Sequence, residues 1–386
     1  MMMKKYKVAF ATGSRADYGI VRNYIAKLNA DDEVDFSVLT TGALLASEFG
    51  SAVNIIEQDG FRIDYKDAIP QKMDSLDDTC HIMAQTLDDF SKYFSDHKFD
   101  LLIILGDRYE IYAVSIAAAM HRVPILHLHG GELTEANYDE FIRHSITKMA
   151  NWHITSTEEY RKRVIQLGEA PETVYYLGAL GAENCLHIDR NNVPGELLNI
   201  NNSFVVLFHP ETLNDVSPLE QVEQVLTAIE PFSSDYTFVF IGSNADTHAD
   251  QITKRVKQFC ETHENCHFYS NLHPDAYHYI VKQSVALIGN SSSGIIEVPS
   301  LGSFTINIGD RQTGRVKSSS ILDVRCTAEA ITHAIRFTIS HKDEQITDTP
   351  YYKEHSAELY YQTTKNILHG EKPKYKKFFD VKPLNV

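Results

Sequence analysis

Two stretches of the sequence set ionisable side chains directly behind apolar runs. Leu101–Leu105 leads into Gly106, Asp107 and Arg108, and the run from Pro124 leads into His127, His129, Gly130, Gly131 and Glu132. "YDEFIRHSITK" then adds Asp139 and Arg143. Asp107, His129, Glu132 and Asp139 are residue types that give and take protons. Arg108 and Arg143 are suited to holding anionic groups or tuning the neighbouring acids. For Asp107 alone a structural cap is the alternative; the cluster favours a catalytic role. His127 and His129 share one face of a strand, which invites a metal reading. Zinc would need one or two further ligands in fixed geometry, and the spacing supplies none. No metal is expected.

Other motifs look suited to an anionic ligand. "ATGSRADYG" places Gly13 and Ser14 after a strand-like run, with Arg15 and Asp17 before a helical one. Free N–H groups at that helix start, together with Arg15, would hold a phosphate. The alternative is a turn capped by Asp17. "LFHPET" ends an apolar run in His209, and "LIGNSSSGIIEVPSLG" follows another with Gly289, Asn290 and three serines. Ser291, Ser292 and Ser293, with the N–H groups behind them, can cradle a diphosphate without a Walker lysine. An ordinary N-cap would need only one of these serines. Glu297, about one helical turn on, can accept from both hydroxyls of a ribose. Arg311 and Arg315 in "NIGDRQTGR" are placed for phosphate or sugar, or simply lie in a solvated loop. "CETHENCH" is too compressed for a zinc finger and reads as a helix end running into a strand.

These motifs need elements to position them. Near-continuous apolar runs at Lys7–Ala11, Asp35–Thr40, Leu101–Leu105, Pro124–Leu128 and His153–Ser156 alternate with helical patterns such as Tyr18–Leu28, Leu76–Phe94 and Ile111–His121. Burial on both faces of a parallel sheet explains such strands. A second series has strands at Phe204–Phe208, Thr237–Ile241, Val285–Ile288 and Thr305–Ile308. Its helices are Pro218–Ile229, Ala249–Cys260, Ala276–Gln283 and Ala328–Ser340. The spacing predicts two doubly wound α/β domains facing a central cleft, with ligands beyond the carboxyl ends of the strands. The polar stretch 185–202 is the expected linker, giving domains 1–185 and 186–386, with a C-terminal helix able to pack back on the first.

With 386 residues, 43% of them hydrophobic, two ordinary cores can form. The net charge of −16 argues against nucleic acid and anionic membranes as partners. The opening "MMMKKYKVAFATG" lacks the apolar length of a signal peptide. No stretch approaches a membrane span, and five cysteines form no regular framework. A cytoplasmic location is expected.

In this order, "GSRADYG", "LGDRYE", "GGE", "YDEFIRHSITK", "FHPET", "IGSNADT", "GNSSSG" and "GDRQ" resemble the hydrolysing UDP-N-acetylglucosamine 2-epimerases of bacterial sialic-acid biosynthesis, over nearly the whole chain. The resemblance implies a GT-B fold of two Rossmann-like domains, a UDP-sugar substrate and no cofactor. It also implies conversion of UDP-N-acetylglucosamine and water to N-acetylmannosamine and UDP. A homo-oligomer, dimer or tetramer, is expected. Asp107 and Asp139 match the family's catalytic aspartates. Arg15, His209, Asn244, Ser270, Ser291, Ser292, Glu297 and Arg311 match positions associated with the nucleotide. The chain departs from many relatives at His129, where they carry Glu, so the base that takes the C2 proton is open among His129, Glu132 and Asp139. The same chemistry on UDP-2,4-diacetamido-2,4,6-trideoxyhexose, a non-hydrolysing epimerase and a non-catalytic sugar-nucleotide sensor are the rival readings.

Overall fold

The computed structural model describes residues 5–45, 53–69, 76–134, 138–209, 216–242, 249–371 and 375–381. They build two compact units. One comprises Met1–Glu132, Asn137–Leu180 and Lys353–Val386; the other comprises Leu133–Ala136 and Gly181–Tyr352. The division thus falls just ahead of the polar stretch 185–202, and the chain end belongs with the first unit.

The first unit holds strands β1 (Tyr6–Thr12), β2 (Val34–Thr40), β3 (Ile63–Lys66), β4 (Leu101–Leu105), β5 (Ile125–Leu128), β6 (Trp152–Thr155) and β7 (Val174–Tyr176). All pair in parallel, in the order β3-β2-β1-β4-β5-β6-β7. The central strands β4, β5 and β6 are buried at every position, as apolar runs covered by helices on both faces must be. β3 alternates half-buried and exposed residues because it lies at the edge. That alternation, and the brevity of β7, kept both strands out of reach of a search for apolar runs.

The second unit holds β8 (Ser203–Leu207), β9 (Thr237–Ile241), β10 (Cys266–Tyr269), β11 (Ser284–Gly289), β12 (Phe304–Ile308) and β13 (Ile321–Val324). These pair in parallel in the order β10-β9-β8-β11-β12-β13. Each sheet reverses its winding once, between β1 and β4 and between β8 and β11. A crevice at the carboxyl ends of the strands forms at such a switch point.

Helix Ser356–His369 explains why the chain end joins the first unit. It buries Ser356, Ala357, Tyr360, Thr364, Ile367 and Leu368, a stripe at helical spacing. Tyr360 packs edge-on against Tyr24 of helix Arg15–Asn29, with ring centroids 5.5 Å apart. Tyr24 shares a 2.6 Å hydrogen bond with Thr364.

Candidate active site

In the first unit, β4 runs out into Gly106 and Asp107. Helix Asp139–Met149 packs nearby with Arg143 turned inward, only 3% exposed. The Arg143 guanidinium pairs with the Asp107 carboxylate. It also donates to the Glu132 backbone carbonyl at 2.8 Å, and Glu140 lies 3.8 Å away. One cation thus joins the end of β4 to the loop after β5. A buried cation with fewer partners would be costly. Asp139 opens the same helix and is half-buried. Arg143 therefore positions Asp107, and its side chain is directed to protein groups.

His127 is fully buried on β5. Nε2 meets the Gly106 carbonyl at 2.8 Å, and Nδ1 meets Thr147 Oγ1 at 3.2 Å. A carbonyl accepts, so Nε2 carries the proton. Burial pushes its pKa down to about 3, keeping it neutral. His127 thus pins the turn that presents Asp107. His129 lies just past the strand with φ 62°. Few non-glycine residues adopt that left-handed backbone, histidine more readily than most, and such outliers gather at functional sites. Its Nδ1 is 3.5 Å from Glu132 Oε1, which also accepts from Ser156 Oγ at 2.8 Å.

In the turn after β1 the alternative of an Asp17 cap is not the one that forms. Ser14, not Asp17, caps helix Arg15–Asn29, accepting from the Asp17 backbone N–H at 3.1 Å. The shorter serine at the N-cap reaches that N–H, leaving Asp17 in the first turn. Asp17 Oδ2 is buried and has no hydrogen-bond partner among the described residues. Burial pushes its pKa up to about 6, against the pull of Arg108 and Ser14, with Glu110 adding to the rise. Arg15 is exposed at the helix start. Arg108 donates from Nε to Glu110 at 2.5 Å. Glu110 is fully buried and packs under Gly13 and Gly42.

In the second unit the turn after β11 is braced by neutral groups. Asn290 follows β11 and is 1% exposed. Its Oδ1 accepts from the His209 backbone N–H, and its Nδ2 donates to the His209 carbonyl, each at 2.8 Å. The amide thereby continues the sheet ladder past Leu207 and fixes where His209 leaves β8. Only glycine fits before it: a Cβ at Gly289 would overlap the Leu207 carbonyl, at φ 150°. Gln312 donates to the Asn290 carbonyl at 2.8 Å, tying in the loop that carries Arg311.

Ser291 caps the short helix Ser292–Ile296. Its hydroxyl lies 3.1 Å from Ser293 Oγ, which meets the Tyr277 hydroxyl at 2.6 Å. Ser292 is left exposed. Glu297 gives one oxygen to His278 Nε2 at 3.1 Å, with the other beside Gly181. Ser270 is exposed and Arg311 half-buried. Asn244, and Glu211 and Thr212 of "FHPET", lie outside the described residues.

The structure brings Asp107, Arg143, Glu132 and His129 together within the first unit, and His209, Asn290 and the Arg311 loop within the second. Sequence reasoning missed Glu110, Ser156, Thr147, Gln312 and His278 as supporting groups. Glu110 had a legible signal: it is the single charge in "YEIYAVSIAAAM", an otherwise neutral helix, and a buried lone carboxylate requires a partner.

Known proteins match this arrangement. The family described as UDP-N-acetylglucosamine 2-epimerase matches residues 26–365. The chain belongs to that family. It is 44% identical to polysialic acid biosynthesis protein P7 of Escherichia coli, over 97% of each chain. It is 33% identical to GDP/UDP-N,N'-diacetylbacillosamine 2-epimerase (hydrolyzing) of Campylobacter jejuni, covering 83% of this chain and 85% of that protein. The crystal structure of Neisseria meningitidis UDP-GlcNAc 2-epimerase bound to UDP-GlcNAc superposes with a TM-score of 0.76 at 16% identity, covering 93% of this chain and all of the other. The fold is therefore the GT-B arrangement of the family. Among the described residues no helix is long and apolar enough to cross a membrane.

Proposed function

We propose that the chain is a hydrolysing epimerase that converts UDP-N-acetylglucosamine and water to N-acetylmannosamine and UDP. The observation that carries this reading is the cluster at the ends of β4 and β5, where Arg143 fixes Asp107 beside the loop bearing His129 and Glu132. The 44% identity to protein P7, named for polysialic acid biosynthesis, supports a place at the head of sialic acid formation.

The sugar's C2 hydrogen is weakly acidic, so a placed base must remove it while the C1–O bond to UDP breaks. The electron pair of the C–H bond forms the C1–C2 double bond of a 2-acetamidoglycal, and UDP leaves with the C1 oxygen. Water then adds its oxygen to C1, and a proton returns to C2 from the opposite face. Two faces of one ring need separate proton carriers. Asp107 and Asp139 take these roles, with His129 or Glu132 as the alternative base. Arg143 holds Asp107 in place. The leaving diphosphate needs preorganised donors, for which Ser291, Ser292, His209, Arg15, Arg108 and Arg311 are assigned. Asn244 and Ser270 are assigned to the nucleotide on family grounds, and Glu297 to the ribose. The reaction needs no cofactor. A cytoplasmic homo-oligomer is the working form we assign.

Incubation with UDP-N-acetylglucosamine in D2O, followed by NMR, tests the reading. Free N-acetylmannosamine carrying deuterium at C2 is expected. UDP-N-acetylmannosamine as the sole product would instead make the chain a non-hydrolysing epimerase. The second reading, the same chemistry on a UDP-2,4-diacetamido-trideoxyhexose, draws on the Campylobacter relative. Faster turnover of that sugar nucleotide in a paired assay would favour it.

A further inference from the structure

Helix Asp139–Met149 presents Asp139, Arg143 and Thr147 at spacings of four residues, hence on one face. Arg143 holds Asp107, and Thr147 meets His127, which pins the Gly106 turn. The position of this helix along its axis therefore sets the geometry of the candidate acids. Its carboxyl end leaves carbonyls with no partner inside the helix, as every helix does. Those carbonyls are met from the far end of the chain. Lys376 Nζ donates to Thr147 O at 3.0 Å, Lys148 O at 2.9 Å and Ala150 O at 2.6 Å. An ammonium there also complements the negative end of the helix dipole.

The segment bearing Lys376 is clamped. Glu169, 1% exposed, lies 2.5 Å from Lys376, 2.6 Å from Lys148 and 3.1 Å from His153. The Phe378 ring covers Gly168, which has φ 90° and no room for a Cβ. Lys148 Nζ sits 5.0 Å from the centre of that ring, and the Phe379 N–H donates to the Gly168 carbonyl at 2.9 Å. The two phenylalanines thus anchor the tail to the turn behind the helix.

We propose that Lys376 is a positioning residue for the epimerase reaction: by closing the carboxyl end of helix Asp139–Met149 it holds Arg143 and Thr147 in place over Asp107 and the Gly106 turn. The proposal rests on the function proposed above. Misplacement of reacting groups by about 1 Å can cost about 100-fold in rate, so a fastener remote from the ligand can act on turnover alone.

The test uses the full-length chain with Lys376→Met, Lys376→Arg, Phe378→Ala and, as a control for tail charge, Lys377→Met. Lys376→Met should lower kcat by about 10- to 100-fold, with KM and the Kd for UDP within about two-fold of wild type. Lys376→Arg should restore most of the rate, Phe378→Ala should show a smaller form of the same split, and Lys377→Met should match wild type. Hydrogen exchange should quicken at the amides of the last helical turn in Lys376→Met and nowhere else. Wild-type kcat in Lys376→Met, or unchanged exchange at that turn, overturns the proposal. So does a loss of UDP affinity and of protection throughout the fold in both Lys376→Met and Phe378→Ala, which would make the tail a general stabiliser. If wild type fails to turn over UDP-N-acetylglucosamine, the functional reading fails, while the exchange experiment still decides whether Lys376 holds the helix.

Discussion

The acids at the strand ends of the first unit are held by ion pairs, whereas the turn after β11 in the second unit is held by neutral hydrogen bonds. Arg143 pairs with Asp107, Arg108 with Glu110, and His129 approaches Glu132. In the second unit Asn290 braces His209, Gln312 braces Asn290, and a chain of hydroxyls links Ser291, Ser293 and Tyr277. Proton transfer needs groups whose charge state can change, and buried charges must be paired to persist. Binding a diphosphate needs donors aimed in advance and little change of charge. One sheet topology, used twice, supports both because function sits at the strand ends and not in the strands.

The comparison breaks most readily at the aspartates. Asp107→Asn and Asp139→Asn should each lose at least about 100-fold in kcat while still binding UDP, because such groups act mainly in the transition state. Calorimetry with UDP alongside steady-state rates checks this; a parallel loss of UDP affinity would move the aspartates to the binding side. His129 sharpens the same half. If imidazole is the base, His129→Ala should abolish deuterium exchange at C2, read by NMR. Near-normal exchange would leave the base among Asp107, Glu132 and Asp139.

The second unit should respond in the opposite sense. Ser292→Ala combined with Glu297→Ala is expected to weaken UDP binding by about 10-fold or more, the scale of one or two lost hydrogen bonds. Unchanged affinity would remove the nucleotide from this unit's strand ends. The smallest effect is on stability. Asp17 binds its proton more tightly folded, at about 6, than at its ordinary value of 3.8. Stability therefore falls as pH rises through that window, and above it the buried carboxylate must be ionised. Asp17→Asn should stabilise the chain by about 1 kcal/mol at pH 7.5 after allowance for solvent screening. That gain should vanish near pH 4. Thermal melts at the two pH values decide it; an equal shift at both would assign the effect to packing.

Much of the fold was legible because central strands are buried on both faces. Leu101–Leu105 and Thr237–Ile241 read as strands from composition alone. Edge strand Ile321–Val324 did not, since one face meets solvent and its apolar residues are interrupted. Ser14 took the cap that the alternative reading gave to Asp17 because both side chains can reach an early helix N–H, and only the backbone entry selects between them.

The sequence by itself determined where chemistry would gather: the residues after Leu105, Leu128, Leu207 and Ile288 follow strands, and strands in parallel sheets present their ends together. It did not determine which groups would meet. Arg143 could have pointed at a ligand; the packing of its helix turned it onto Asp107 and the Glu132 carbonyl. Lys376 lies more than 200 residues from the carbonyls it closes. Hydrophobic periodicity is local and survives in one dimension. The partner of a long cationic side chain depends on which elements pack above it, and that is fixed only when the chain is folded in three.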